Sequence, residues 1–432
     1  MRNAERAVLG SNLAAISTSM RVINRARVIF LIRRQPGLTR ADLSRLSGLS
    51  KATVSNHVGE LLEAGLLYED HGNGSHPRKA GLRLNRDAGI AVGIELSPEE
   101  CRGVVTDTGI RPLRRAQRRL NSTGVEETTE VLLSMVQELL AGLDGQFLGL
   151  VVGVPGLTDA RGETLMFSER LGWSDVPLAR RLSDRGVCRV KVINRVRAAA
   201  LGELWLGAGV DADDLVYVSV SSGIAAGILI DGQLFTGAYN NSGELGHTTL
   251  LPDGPECVCG NQGCLEAVAS LPAICKAIKL RLLDGEPSVL SPALAEAGSL
   301  TSADVIAAAR DGDALALDEA RKASRHLGIA VANLIDLFNP AMVVIGGQLA
   351  EIGEIVIGSI RNTAQRRAFP PSFAGVQIVR SALGPDSVCM GACALVVDEY
   401  VREIGPSLSR DPGDRSGGRD PGQSLAIEAV QL

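Results

Sequence analysis

Aromatic residues make up only 3% of this 432-residue chain, and cysteine occurs eight times. The cores must therefore be built from Ala, Val, Leu and Ile, and a disulfide-stapled scaffold is excluded at this length. Lysine is scarce too: positions 51, 79, 191, 276, 279 and 322 are the only six among 44 basic residues. No uncharged apolar run approaches the ~18 residues of a membrane-spanning helix. The opening segment, MRNAERAVLG, lacks the apolar stretch of a secretion signal. A cytoplasmic protein without membrane contact is the expectation. What is present is a 45% hydrophobic share, ample for packed cores, in a length that suggests two or three domains.

The net charge of −5 conceals an asymmetry. Residues 1–88 carry a net +7 and the remainder −12. A small basic head on a large acidic body points to a nucleic-acid-binding module joined to something else, with a merely solvated surface as the alternative. Residues 22–34 show helical apolar spacing, and Pro36-Gly37 ends that helix. Thr39 is a good N-cap for a second short helix over 40–46. Ser47-Gly48-Leu49 turns the chain, and Ser50 caps a third helix reaching about Ala64. Two short helices joined by a glycine-containing turn make a helix-turn-helix. In the third helix Val54, Val58, Leu61 and Leu62 should face inward, leaving its amino-terminal end to meet DNA. Thr39, Ser50, Lys51, Thr53, Ser55 and Asn56 are the candidate DNA-facing residues. A β-hairpin wing should follow, with Arg78 and Lys79 beside a backbone phosphate. A three-helix protein-binding or dimerisation module is the alternative.

From residue 89 the pattern becomes strand, strand, strand, helix, strand. Strands are expected over 90–96, 101–106 and 111–120, a helix over 125–143 and a strand over 147–154. The order recurs about 125 residues later at Leu215–Val220, Ile224–Ile230 and Gln233–Phe235, which suggests two similar α/β lobes with a cleft between them. Later helices are expected at about 302–311, 315–337 and 386–401, with a strand at 342–345. The resulting division is an arm over 1–20, a head over 21–86, a body over 87–402 and a disordered tail over 403–432.

The spacing of His247, Cys257, Cys259 and Cys264 offers one imidazole and three thiols. That is a complete tetrahedral set for Zn²⁺ with no open position, hence a structural zinc. Free or redox thiols are the alternative. Cys101, Cys188, Cys275, Cys389 and Cys393 sit in apolar or helical surroundings and are expected to be buried.

The helix-turn-helix, the repeated lobes, the string Asn241-Ser242-Gly243-Glu244-Leu245-Gly246-His247 and the run Cys257-x-Cys259-Gly260-x2-Gly263-Cys264-Leu265-Glu266 together resemble the ROK family of repressors and sugar kinases. The resemblance covers roughly residues 20–400, and the head places the chain with the repressors. It implies a winged helix-turn-helix joined to an actin-like, two-lobed sugar-kinase fold, with zinc beside the sugar site. It implies that Glu244, His247 and Glu266 bind sugar hydroxyls, that Gly156 belongs to the loop lining the sugar pocket, and that Asn194 lies beside it. Carboxylates suit hydroxyl donors, although simple loop polarity would also explain Glu244 and Glu266.

Three departures bear on catalysis. The family's first phosphate loop is replaced by Glu95-Leu96-Ser97-Pro98-Glu99-Glu100, without glycine and with three carboxylates. The second, Ser221 to Gly227, is depleted in glycine. The family's catalytic Asp is Arg195, which stays protonated and cannot act as a base. A fourth departure concerns the ligand: Arg170 stands where the family has a sugar-contacting asparagine. Arg170 and Arg195 together suggest an anionic ligand such as a sugar phosphate or sugar acid, with pairing to neighbouring carboxylates such as Glu169 in an empty site as the alternative. The expectation is a non-enzymatic regulator, a repressor of a carbohydrate operon, binding double-stranded operator DNA, a sugar-derived effector and structural zinc but no ATP, as a homodimer or homotetramer. A sugar kinase with a DNA-binding head, and a regulator governed by a protein partner, are the competing readings.

Overall fold

The structure is a computed structural model that describes residues 20–71 and 80–403. Residues 1–19 of the arm, the tail beyond 403 and the wing tip with Arg78 and Lys79 lie outside the described residues, while residue 20, counted with the arm, already belongs to the first helix. Helix α1 occupies residues 20–34, followed by α2 (Arg40–Ser47) and α3 (Lys51–Glu63). Thr39 caps α2 reciprocally with Asp42, and the Ser50 hydroxyl accepts from the Thr53 amide at 3.1 Å to start α3. Val54, Val58 and Leu61 are buried as the pattern requires, while Leu62 is half-buried. The wing strands β1 (Leu67–Asp70) and β2 (Gly81–Leu84) pair antiparallel, Leu67 opposite Leu84, and Leu38 bridges to Leu82. The head is thus a winged helix-turn-helix.

His57 on α3 is buried beside Arg25, its ring 3.5 Å from the Glu60 carboxylate. Burial lowers its pKa below the ordinary 6.5, with the hydrogen bond to Glu60 opposing. The folded head thus holds a neutral imidazole that the unfolded chain would protonate. This contribution to stability is complete above the unfolded value and is lost as pH falls below about 6.5. Thermal melts at about pH 7.5 and about pH 5.5 should show a lower midpoint at the acid value. His57→Gln should shrink that difference, and an unchanged pH dependence would refute the assignment.

The first lobe is built from β3 (Ile90–Leu96), β4 (Glu100–Asp107), β5 (Pro112–Arg119), α4 (Val125–Leu140) and β6 (Phe147–Val154). A small antiparallel sheet of β7 (Leu157–Thr158), β8 (Leu165–Ser168) and β9 (Trp173–Val176) follows, then α5 (Leu178–Ser183) and β10 (Val190–Asn194). Helix α6 (Arg195–Leu206) leads to the second lobe. That lobe contains β11 (Leu215–Val220), β12 (Ile224–Ile230), β13 (Gln233–Leu234), α7 (Leu265–Ala269), α8 (Leu271–Leu283), α9 (Ser291–Ala297), α10 (Ser302–Arg310) and α11 (Ala314–Phe338). It is completed by β14 (Met342–Gly346), α12 (Glu354–Arg367), α13 (Pro370–Phe373) and β15 (Gln377–Arg380); α14 (Ser387–Glu403) closes the described chain.

The two main sheets have the same plan. Their orders are β10-β6-β3-β4-β5 and β13-β12-β11-β14-β15. In each, a central strand pairs antiparallel with its successor and parallel with a later strand. The internal repeat read from the sequence is therefore a structural one. The parallel strands read as continuous apolar runs because both faces are covered, as in Val151-Val152 and Val343-Val344-Ile345.

Several local expectations are corrected. α4 ends at Leu140, not 143, because Ala141 leaves helical geometry and Gly142 has a positive φ. The third strand of the second lobe has only two residues. Cys188 is exposed, whereas Cys101, Cys275, Cys389 and Cys393 are buried. It follows α5 and precedes β10, in a connection on the surface.

Candidate functional site

The amino-terminal end of α3 is open. Ser50, Lys51, Ser55 and Asn56 are exposed and Thr53 is half-buried. The Thr53 hydroxyl lies 2.9 Å from that of Ser50, while Thr39 directs its hydroxyl to Asp42 at 2.7 Å. These three hydroxyls hold helix starts in place, which leaves Lys51, Ser55 and Asn56 as the side chains free to reach a groove. Asn56→Ala should cost about 1–3 kcal/mol of preference for the matched base, whereas Lys51→Ala should reduce the salt slope by about one charge. Binding titrations over a salt series separate the two; equal losses on all sequences for Asn56→Ala would count against base contact.

His247, Cys257, Cys259 and Cys264 converge, their ligand atoms all lying within 4.8 Å of one another. The Cys259 and Cys264 sulfurs are 3.8 Å apart, and Cys257 Sγ is 3.7 Å from His247 Nδ1. A tetrahedron with zinc–sulfur bonds of 2.3 Å has edges of about 3.8 Å, so the donors fit. The loop can close this tightly because Gly263, at φ +69°, lies against the Leu251 carbonyl. A Cβ there would fall 1.5 Å from that oxygen. Asn261 Nδ2 reaches both Thr249 Oγ1 at 3.1 Å and Cys264 Sγ at 3.5 Å, supporting one ligand from outside the quartet.

The metal loop runs directly into the cleft. His247 ends the short helical turn that Glu244 begins, and Glu266 sits in the first turn of α7, two residues after Cys264. Glu266 accepts from the Ile224 amide at 2.8 Å, which fixes its carboxylate beside the turn between β11 and β12. Burial raises the pKa of Glu244, with His247 and Arg197 opposing and the charge of Glu266 adding to the rise. On the facing lobe Asn194 donates to the Gly156 carbonyl at 2.9 Å and caps α6 with its own oxygen. Gly156 is required there: a Cβ would lie 2.2 Å from the Phe167 carbonyl.

The two arginines occupy the cleft with acidic neighbours. Arg170 donates to the Ser222 carbonyl and lies 3.8 Å from Glu266. Arg195 lies 3.7 Å from Glu95, whose pKa is raised by burial, with Arg195 opposing. Neither cation therefore stands alone. A cavity of about 550 Å³ between the lobes is lined by Glu95, Glu99, Glu100 and Arg195 from one side and by Ser221, Ser222 and Gly347 from the other.

Sequence reasoning missed Arg197, which is 5% exposed. Its guanidinium donates to Asn240 Oδ1 at 2.8 Å and to the carbonyls of Asn240 and Ser242 at 2.9 and 3.1 Å. Asn240 in turn donates to the Thr158 carbonyl at 2.8 Å, so the loop ahead of Glu244 is tied to the first lobe. An arginine near the start of an alanine-rich helix carried no local signal of this role.

The ROK family model matches residues 91–399, most of the chain, and the MarR family model matches residues 23–74. The chain belongs to the ROK family. Its amino-terminal module is a MarR-type DNA-binding domain, and the body has the two-lobed fold of ROK kinases. A xylose repressor of Caldicellulosiruptor bescii is 31% identical over 394 residues, covering 89% of this chain and 98% of the relative. A glucokinase of Thermotoga maritima is 33% identical, covering 68% of this chain and 92% of that protein. The crystal structure of a ROK family transcriptional regulator, a homologue of the E. coli MLC protein, superposes with a TM-score of 0.77 at 28% identity, over 89% of this chain and 97% of that one. These two regulators cover 89% of this chain, whereas the glucokinase covers 68% of it. No helix among the described residues is long and apolar enough to cross a membrane.

Proposed function

We propose that this ROK protein is a sugar-responsive transcriptional repressor whose body has lost phosphoryl transfer and kept the sugar-binding cleft. The observation that carries the reading is one chain joining an open recognition helix to a two-lobed body in which Glu266 is fixed beside the β11–β12 turn and Asn194 is tied to the Gly156 loop. In this reading the protein acts in the cytoplasm on operator DNA, as a symmetric dimer that matches a pseudo-palindromic site. His247, Cys257, Cys259 and Cys264 hold zinc, which stiffens the loop bearing Glu244. Bound there, the ion supplies structure only, since four protein ligands leave no open position.

The loss of catalysis rests on Arg195 and on the three carboxylates facing the cavity where a nucleotide would lie. Gly156, Asn194, Arg170, Glu244, His247 and Glu266 form the effector site, with Arg195 at its edge. The charge that favoured an anionic effector is balanced by Glu266 and Glu95 at 3.8 and 3.7 Å, so the effector we propose is a neutral sugar. The pentose class comes first, after the xylose repressor relative. The experiment is fluorescence anisotropy of duplex DNA enriched from the genome by this protein, titrated with D-xylose, other neutral sugars and their acids and 6-phosphates. A neutral sugar should weaken binding about 5–150-fold. A response restricted to the acids or phosphates would restore the anionic effector; no response to any sugar would leave a regulator governed by another partner.

A further inference from the structure

The head and the body do not have separate interiors. Val28, Ile29 and Ile32 of α1 share one continuous buried cluster with Leu204 and Trp205 of α6 and Val397 of α14. The outer halves of the two lobes have their own cores. α6 lies where these parts meet. Its amino end is in the cleft: Arg195 faces Glu95 on β3 of the first lobe, and Arg197 grips the Asn240–Ser242 segment of the second. Its carboxyl end is at the head. Arg33 of α1 donates to the Trp205 carbonyl at 2.5 Å, and its guanidinium carbon lies 4.1 Å from the centre of the Trp205 ring. Burial lowers Arg33 to about 9, with Asp398 opposing, so the group is still cationic at neutral pH. The neighbouring ion pairs of Arg34 with Asp211 and Asp213 are solvent-exposed and correspondingly weak.

We propose that α6 couples the sugar cleft to the DNA-binding head as a rigid shaft, with the Arg33–Trp205 contact as its joint. This rests on the sugar-sensing reading for its biological meaning. Ten of the twelve residues of α6 are buried, so the helix cannot bend without opening packed surface on every side. Over its length of about 18 Å, a tilt imposed at Arg195 and Arg197 reappears at Trp205. The two arginines hold opposite lobes, and any change in lobe closure therefore acts on the amino end of the helix. At the other end the guanidinium needs both the ring face and the carbonyl, a geometry that tolerates little displacement. Helix shifts of this kind at packed junctions are a recognised route for transmitting a small change at a ligand site.

The test needs no ligand. Hydrogen–deuterium exchange is followed on the full chain and on Arg195→Gln, which weakens the cleft end of the shaft, with Arg197→Ala as a second perturbation. Exchange in residues 28–34 of the head should rise about fivefold or more. Glu99→Gln, in the same cavity but away from α6, should leave the head unchanged. In an Arg33→Leu background the head should no longer respond to Arg195→Gln, while Arg33→Leu alone should by reciprocity alter exchange in the 236–247 loop. Unchanged head exchange in both cleft variants would overturn the proposal. So would an equal rise with and without Arg33, since the signal would then travel by another route. Failure of every sugar to alter DNA affinity would remove sugar sensing and leave this coupling measurable.

Discussion

Metal analysis of protein prepared without chelator will return about one zinc per chain, and Cys264→Ser will abolish it. Cys264 is fully buried, with its sulfur 3.8 Å from that of Cys259 and within 4.8 Å of the other donor atoms. Closed thiolate-rich sites bind zinc with roughly 10–16 kcal/mol, a free energy available to folding because the unfolded chain has no assembled site. The loop spanning 248–264 has little regular structure and includes Pro252 and Pro255, so little else holds it. Cys264→Ser should therefore cost more than about 4 kcal/mol, a size that few mechanisms besides loss of a metal reach. Because His247 belongs to both the quartet and the Glu244 turn, the same variant should weaken sugar binding by about 10–100-fold. Denaturant unfolding and calorimetry provide the two readouts. A protein without zinc but with unimpaired stability would leave the quartet as free thiols.

No sugar-dependent ATP turnover is expected over a panel of hexoses and pentoses. A general base contributes about 10²–10⁴-fold, and the residue at that position is a permanent cation. The result should lie at least that far below a ROK glucokinase run as the positive control. Arg195→Asp will not restore activity. The new carboxylate would face Glu95, and the two would raise each other's pKa and repel a phosphate. The same substitution removes the partner of a largely buried carboxylate and should destabilise the first lobe by about 1–3 kcal/mol, the pair being partly open to water. A coupled assay and denaturant melts check the two halves. Measurable phosphorylation by the native protein would make it a kinase with a DNA-binding head.

Much of this was legible in the chain because it is written in short segments. A helix-turn-helix depends on caps and apolar spacing within about thirty residues, and Thr39, Ser50 and Val54 perform those roles. The metal quartet needs only a loop, since one histidine and three cysteines within eighteen positions cannot lie far apart. Arg195 in place of an acid is a chemical statement that holds in any conformation. The repeat in strand order was visible for the same reason, although the small sheet β7–β9 was not: its strands are short and lack alternation.

The sequence by itself therefore determined the modules, the cysteine–histidine quartet that could hold a metal and the absence of a base at position 195. Only the tertiary structure decided how the arginines are used. Arg170 and Arg195 acquire acidic neighbours from segments about a hundred residues away. Arg197 and Arg33 look like surface residues of their helices until Asn240 and Trp205 arrive from elsewhere in the chain. Glu203, fully buried, is satisfied only by the amides of Ala208, Ala382 and Leu383 and by nearby serines. Local spacing encodes caps, turns and ligands because their partners are near in sequence. The environment of a long charged side chain is set by whichever distant segment folds against it, and the free energy of burying that charge depends on the partner it meets there.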